Sequence, residues 1–69
     1  MHSRWEIVGI HLKEQKVFVK DSLFKKVRVY VVPNITSAHL EGDHLKVNTH
    51  TGKIMRIVLP SGSRGFVLD

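Results

Sequence analysis

Two glycine-containing turns constrain the fold of residues 36–59. Gly42-Asp43 separates two short runs of alternating apolar and polar residues, and this pair is favoured in two-residue hairpin loops. Gly52 follows His50-Thr51 and suits the left-handed position that ends a three-residue loop. Because two successive short loops join three antiparallel strands, the segment is predicted to form a three-stranded antiparallel meander.

The apolar residues decide the register across these turns. A two-residue second loop would place Val47 opposite Arg56, whereas a three-residue loop places Val47 opposite Met55. A slip of one residue moves every side chain to the other face, so the apolar match favours the longer loop. The first turn also predicts that Thr36 pairs with Thr49. The residues predicted to face the core are Ala38, Leu40, Leu45, Val47, Met55, Ile57 and Leu59.

The opposite face of the meander carries a basic row, defined here as His39, Lys46 and Arg56. The predicted register places these three residues side by side on adjacent strands. Like charges directly opposite each other destabilise a sheet by a few tenths of a kcal/mol up to about 1 kcal/mol, a cost that an anionic partner would relieve. The alternative interpretation is a solvated surface on which the charged ends of the two long side chains diverge.

Length and charge narrow the function classes. Sixty-nine residues allow one small domain, covering 1–69, whose core is small enough that homo-oligomerisation is the expected source of added stability. Eleven Lys and Arg against six Asp and Glu give a net charge of +5, which points to a polyanionic partner, most often nucleic acid. The absence of Cys excludes disulfides and thiolate metal sites and fits a reducing compartment. We expect a cytoplasmic protein without a signal peptide or membrane span.

The remaining sequence predicts further short strands. Residues 5–12 and 17–20 show strand-like alternation, and residues 25–32 alternate strictly with β-branched enrichment. Residues 66–68 are predicted to form a closing strand, and at most one helical turn is expected near Ser22. The predicted fold class is therefore all-β: a small SH3-like or related barrel or half-barrel of five to six short antiparallel strands.

Alternation also assigns faces within residues 25–32. The residues predicted to face the core are Val27, Val29 and Val31. The residues predicted to face outward are Lys26, Arg28 and Tyr30. Trp5 is likewise predicted to face outward, and small β-sheets use such exposed cations and aromatic rings to contact phosphates and stack on bases. The alternative is that Trp5 and Tyr30 fill a core or a dimer interface.

No catalytic or metal-binding pattern accompanies these strands. There is no cysteine nucleophile and no serine at a strand-to-helix elbow. Four of the six acidic residues fall in predicted turns, where they form no cleft: Glu14, Asp21, Glu41 and Asp43. His39, His44 and His50 are the candidate zinc ligands, but their predicted placement favours separate surface histidines. Residues 61–65 lack the Lys and helix of a phosphate-binding loop, although their backbone amides and Arg64 could contact a phosphate. We therefore expect no enzymatic activity, no metal and no cofactor.

Two segments resemble parts of known nucleic-acid-binding modules. The run from Gly42 to Val47, followed by Gly52-Lys53-Ile54, resembles the KOW pattern of SH3-like barrels in transcription and ribosomal proteins. That pattern has an additional glycine where this chain has Asn48-Thr49-His50. The segment from Ile35 to Lys53 is similar to the central hairpin of LytTR DNA-binding domains. Each resemblance covers less than a third of the chain, and the chain is assigned to neither family.

These patterns predict a small basic non-enzymatic protein that binds nucleic acid, either DNA or RNA, through phosphate contacts from a basic sheet face. The residues expected to bind are Lys26, Arg28, Tyr30, His39, Lys46, Lys53, Arg56 and Arg64. The alternative is a protein-interaction or structural subunit whose basic face meets an acidic protein surface; a homo-oligomer and a protein of mobile-element or phage type are both compatible with it.

Overall fold

Two antiparallel meanders make up the fold. The computed structural model describes residues 4–60, in which all regular structure is β. The strands are β1 (Trp5–His11), β2 (Lys16–Asp21), β3 (Lys26–Val31), β4 (Ile35–Glu41), β5 (His44–Thr49) and β6 (Ile54–Val58). They form two separate sheets, ordered β1-β2-β3 and β4-β5-β6, with β1 in contact with β4. The all-β prediction is confirmed, but residues 4–60 do not form a closed barrel. The predicted strand 66–68 lies outside the described residues.

The β4-β5-β6 meander has the register that its turns predict. Gly42 adopts a φ of 60° in the first loop, and Gly52 adopts a φ of 90° in the second. The Gly52 N–H donates to the Thr49 carbonyl at 3.1 Å, which closes the three-residue loop. Val47 pairs with Met55, so the choice of the longer loop is confirmed.

The predicted pairing of Thr36 with Thr49 is wrong. Ile35 pairs with Thr49 instead, and the register shifts at Thr36 before regular pairing resumes. Thr36 is thus the extra residue of a β-bulge, and its hydroxyl donates to the Asn48 carbonyl at 3.1 Å. The bulge accompanies the burial of Ile35, whose side chain belongs to the core.

The core draws side chains from both sheets, with the two central strands buried most completely. Val17 and Val19 of β2 and Leu45 and Val47 of β5 have no exposed surface. The other buried apolar residues of the core are Trp5, Val32, Ile35 and Leu59. The placement of Trp5 on the outer surface is therefore wrong. Met55, predicted to face the core, is 44% exposed, because within residues 4–60 the edge strand β6 has a neighbouring strand on one side only.

The faces of β3 are the reverse of those predicted. Arg28 pairs with Val19 and Tyr30 pairs with Val17, so both half-buried side chains share the face of the fully buried β2 valines. Lys26, also predicted to face outward, lies on the same face, opposite Asp21 at the end of β2. The long aliphatic and aromatic parts of Arg and Tyr can cover a core while their polar ends reach its rim. The residues on the outer face are Val27, Val29 and Val31, which are 53%, 49% and 66% exposed.

A buried ion pair closes one end of the first sheet. Arg4 Nε donates to Asp21 Oδ1 and Arg4 Nη2 donates to Asp21 Oδ2, both at 2.9 Å. The wholly buried Asp21 carboxylate also accepts the Leu23 N–H at 3.0 Å. The guanidinium lies 5.0 Å from the centre of the Trp5 ring and 5.4 Å from that of Phe24. The hydrogen bonds from Arg4 are the main cause of the lowered pKa of Asp21, and they raise the pKa of Arg4. The assignment of Asp21 to a predicted turn is corrected, because it ends β2 and pairs with Trp5.

Candidate functional site

The basic row lies on the outer face of the β4-β5-β6 sheet. His39 pairs with Lys46, and Lys46 pairs with Arg56 on the edge strand. His39 and Arg56 are exposed, while Lys46 in the central strand is half-buried. The predicted adjacency of the three side chains is confirmed, and it follows directly from the two turns that set the register.

Glu41 places a carboxylate beside two members of the basic row. Its Oε2 lies 3.1 Å from His39 Nε2 and 3.6 Å from Lys46 Nζ. The hydrogen bond with His39 and the charge of Lys46 lower the pKa of Glu41. The repulsion expected between Lys46 and Arg56 is thus offset within the chain. Sequence reasoning missed this role, although Glu41 lies two residues after His39 and therefore on the same face.

Arg56 is the member of the row most open to an external anion. Within residues 4–60 it has no ion pair, and its side chain is exposed on the edge strand. The same-face neighbours Ile54 and Val58 are 53% and 70% exposed. The guanidinium therefore stands between two solvent-facing apolar side chains, a surface that suits either a phosphate or a mixed apolar and acidic partner.

A neutral polar pair continues the surface beside the basic row. Asn48 Nδ2 donates to Ser37 Oγ at 2.9 Å across β4 and β5. This hydrogen bond fixes the Asn48 side chain while its amide oxygen remains an acceptor. The surface thus combines one exposed guanidinium with amide and hydroxyl groups, which is the mixture that phosphate and sugar contacts use.

The other predicted binding residues do not join the basic row. Lys53 precedes Ile54 by one position, so alternation puts it on the opposite side of β6, beside a shallow depression. That depression is lined by Pro33, Asn34, Thr49, Thr51, Lys53 and Met55. Lys26, Arg28 and Tyr30 belong to the other sheet and share the core-side face of β3. Arg64 lies outside the described residues.

Residues 4–60 contain no group of three His, Cys, Asp or Glu side chains placed to hold a metal ion. In the same residues no helix has the length and apolarity to cross a membrane. Searches with protein-family models, curated proteins and solved structures return no match to this chain.

Proposed function

We propose that this protein is a small non-enzymatic nucleic-acid-binding module that contacts phosphates through the basic row. The observation that carries the proposal is the cross-strand alignment of His39, Lys46 and Arg56 on one solvent-facing sheet surface. Cations held at fixed strand spacing can follow the repeating charge of a nucleic-acid backbone. For the fold, we propose a half-open barrel related to SH3-like domains, in which this sheet forms one wall.

Arg56 is proposed as the main phosphate ligand. A guanidinium presents a planar set of donors that matches two phosphate oxygens, and the exposed position of Arg56 leaves those donors accessible. Lys46 contributes less, because Glu41 already offsets its charge. His39 adds a ring that can stack on a base or donate to a phosphate. Since all three would contact the backbone or stack without reading base edges, little sequence preference is expected.

The proposal is tested by fluorescence anisotropy with labelled single-stranded RNA, single-stranded DNA and duplex DNA at several salt concentrations. Phosphate contacts predict that the logarithm of the affinity falls linearly with the logarithm of salt, with a slope of about −0.7 to −0.9 per contact. Arg56→Gln should weaken binding and reduce the slope by about one contact. The matched control is Lys20→Gln, which removes the same charge from an exposed position of the other sheet.

Three outcomes would contradict the proposal. One is no change in the anisotropy of any of the three probes at low salt, and another is an affinity that does not depend on salt. A third contrary result is an equal loss of affinity in Arg56→Gln and Lys20→Gln, because binding would then follow net charge and not the basic row. Circular dichroism of both variants must match the unsubstituted protein, so that a folding defect is not mistaken for a binding defect.

The second candidate is a protein-interaction module, which the apolar neighbours of Arg56 favour. Ile54 and Val58 are exposed on β6, and this edge strand offers backbone groups to an added strand. An extended acidic segment could pair with β6 and place a carboxylate against Arg56. Binding of such a peptide, weakened at high salt because its carboxylate pairs with the exposed Arg56, together with no affinity for RNA or DNA, would favour this candidate over nucleic acid.

A further inference from the structure

The outer face of β3 is apolar although it faces solvent. Val27, Val29 and Val31 are about half exposed or more, and they form a continuous row along an edge strand. The neighbouring strand contributes the half-buried Phe18, which pairs with Val29. Edge strands of monomeric proteins are usually protected by charged residues or by covering elements. The cations of β3, Lys26 and Arg28, lie on its other face, so the exposed valine row carries no charge of its own and needs an explanation.

The same three valines direct their backbone groups toward the edge of the sheet that no strand of residues 4–60 covers. The Val32 N–H donates to the Gln15 carbonyl at 3.0 Å on the β2 side. Because backbone groups alternate in direction along an antiparallel strand, Val31 and the two valines before it point their N–H and C=O groups away from β2. The edge therefore offers a ladder of three residues whose side chains are all valine.

We propose that two copies of this chain associate through antiparallel pairing of their β3 strands, with the two-fold axis at Val29. In this register Val29 faces the partner's Val29, and Val27 faces the partner's Val31. The two meanders then form one continuous six-stranded sheet. Each outward-directed valine exchanges hydrogen bonds with the opposite copy, and the paired side chains shield one another at cross-strand distance. A two-fold axis makes this contact self-complementary and closed.

Charge and the position of Pro33 distinguish this register from the other symmetric registers of two paired β3 strands. With the axis at Val29, Lys26 faces the partner's Val32 and Arg28 faces the partner's Tyr30, so no two cations are opposed. An axis at Arg28 would oppose two arginines, and an axis at Val27 would oppose Lys26 and the partner's Arg28. An axis at Tyr30 would place Val27 against Pro33 of the partner subunit, which has no N–H to donate. The register at Val29 is the one that uses all three valines without an opposed charge.

Sedimentation velocity over a wide range of protein concentrations tests this pairing. The unsubstituted chain should show a concentration-dependent dimer. Val29→Lys opposes two like charges at the axis and should raise the dimer dissociation constant by roughly tenfold or more. Val29→Pro removes the central N–H donor, which points away from β2, and should also abolish the dimer. Val58→Lys makes the same change at an exposed valine of the other edge strand and should leave the dimer intact.

The measurement has clear contrary results. A monomer at every concentration overturns the proposal, as does a dimer that survives Val29→Lys. Dissociation by Val58→Lys but not by Val29→Lys would place the interface at β6 instead. The native fold of each variant is checked by circular dichroism and by the fluorescence emission of Trp5, the single tryptophan. Trp5 is buried in the core, whereas the substituted valines are exposed, so its emission reports on the fold. If Val29→Pro fails to fold, Val29→Lys decides alone.

Discussion

Replacing Asp21 with alanine should remove a large share of the stability of this protein. The Asp21 carboxylate is wholly buried, accepts two hydrogen bonds from Arg4 at 2.9 Å each, and accepts a third from the Leu23 N–H at 3.0 Å. Alanine leaves all these donors without their acceptor. The Arg4 guanidinium would also lose the anion that holds it over the Trp5 ring.

The size of the loss follows from the burial of the pair. Hydrogen bonds to charged groups contribute about 1.5–3 kcal/mol each, and breaking a buried ion pair costs about 3–5 kcal/mol. Arg4 keeps 18% of its side chain exposed, so water can partly rehydrate it and the lower part of that range applies. We expect Asp21→Ala to cost about 3 kcal/mol. A domain of this length has a free energy of unfolding of roughly 3–10 kcal/mol, so the substitution should remove about a third of it or more.

Urea denaturation followed by Trp5 emission and by circular dichroism measures this loss. With a denaturant dependence of about 1 kcal/mol per molar urea, the midpoint should fall by roughly 2–3 M. The control is Asp43→Asn, which neutralises an exposed acid whose charge also acts on Arg4. This substitution should change the free energy of unfolding by less than about 0.5 kcal/mol. If Asp21→Ala loses no more stability than Asp43→Asn, the ion pair contributes nothing net and the reasoning is refuted.

Two further predictions concern the acidic residues. The lowered pKa of Asp21 means that its contribution to stability is present above its unfolded pKa of about 3.9 and is lost as the pH falls through the lower folded value. Urea midpoints measured across that range should therefore fall more steeply for the unsubstituted chain than for Asp21→Asn; parallel curves would contradict the prediction. Glu41→Gln removes the carboxylate beside His39 and Lys46, so it should tighten nucleic-acid binding at low salt. Glu14→Gln, which changes an exposed acid in the turn between β1 and β2, should have a smaller effect.

The second meander could be predicted closely because glycine marks both of its turns. Gly42 and Gly52 each occupy a positive φ, and only one loop length at each turn keeps the apolar residues on a common face. The adjacency of Lys46 and Arg56 followed from that register. The bulge at Thr36 could not be found in this way, because a bulge of one residue leaves no composition signal in a β-branched segment.

The first meander was harder to predict because its turns contain no such marker. Gln15 and Lys25 adopt φ values of 60° and 56°, positions where glycine or asparagine is more common. The loop before β3 has four residues, which sets Arg28 opposite the buried Val19. A loop shorter or longer by one residue would have placed a valine of β3 there. Alternation within β3 defined two sets of residues correctly, but loop length decided which set faces the core.

The reversal of β3 changes how strongly one copy of this chain can hold a polyanion. Lys26 and Arg28 share the face of β3 that contributes to the core, so the outward charge of the candidate site reduces to the basic row, in which Glu41 offsets Lys46. The exposed guanidinium of Arg56, with smaller contributions from Lys46 and His39, corresponds to about one or two phosphate contacts. Each copy is therefore expected to bind nucleic acid weakly, with an affinity that depends little on salt. Pairing through β3 would join two such sites in one particle, where the second contact becomes intramolecular and avidity replaces intrinsic affinity. On this argument Val29→Lys should weaken binding to a long nucleic acid but leave binding to a short one unchanged.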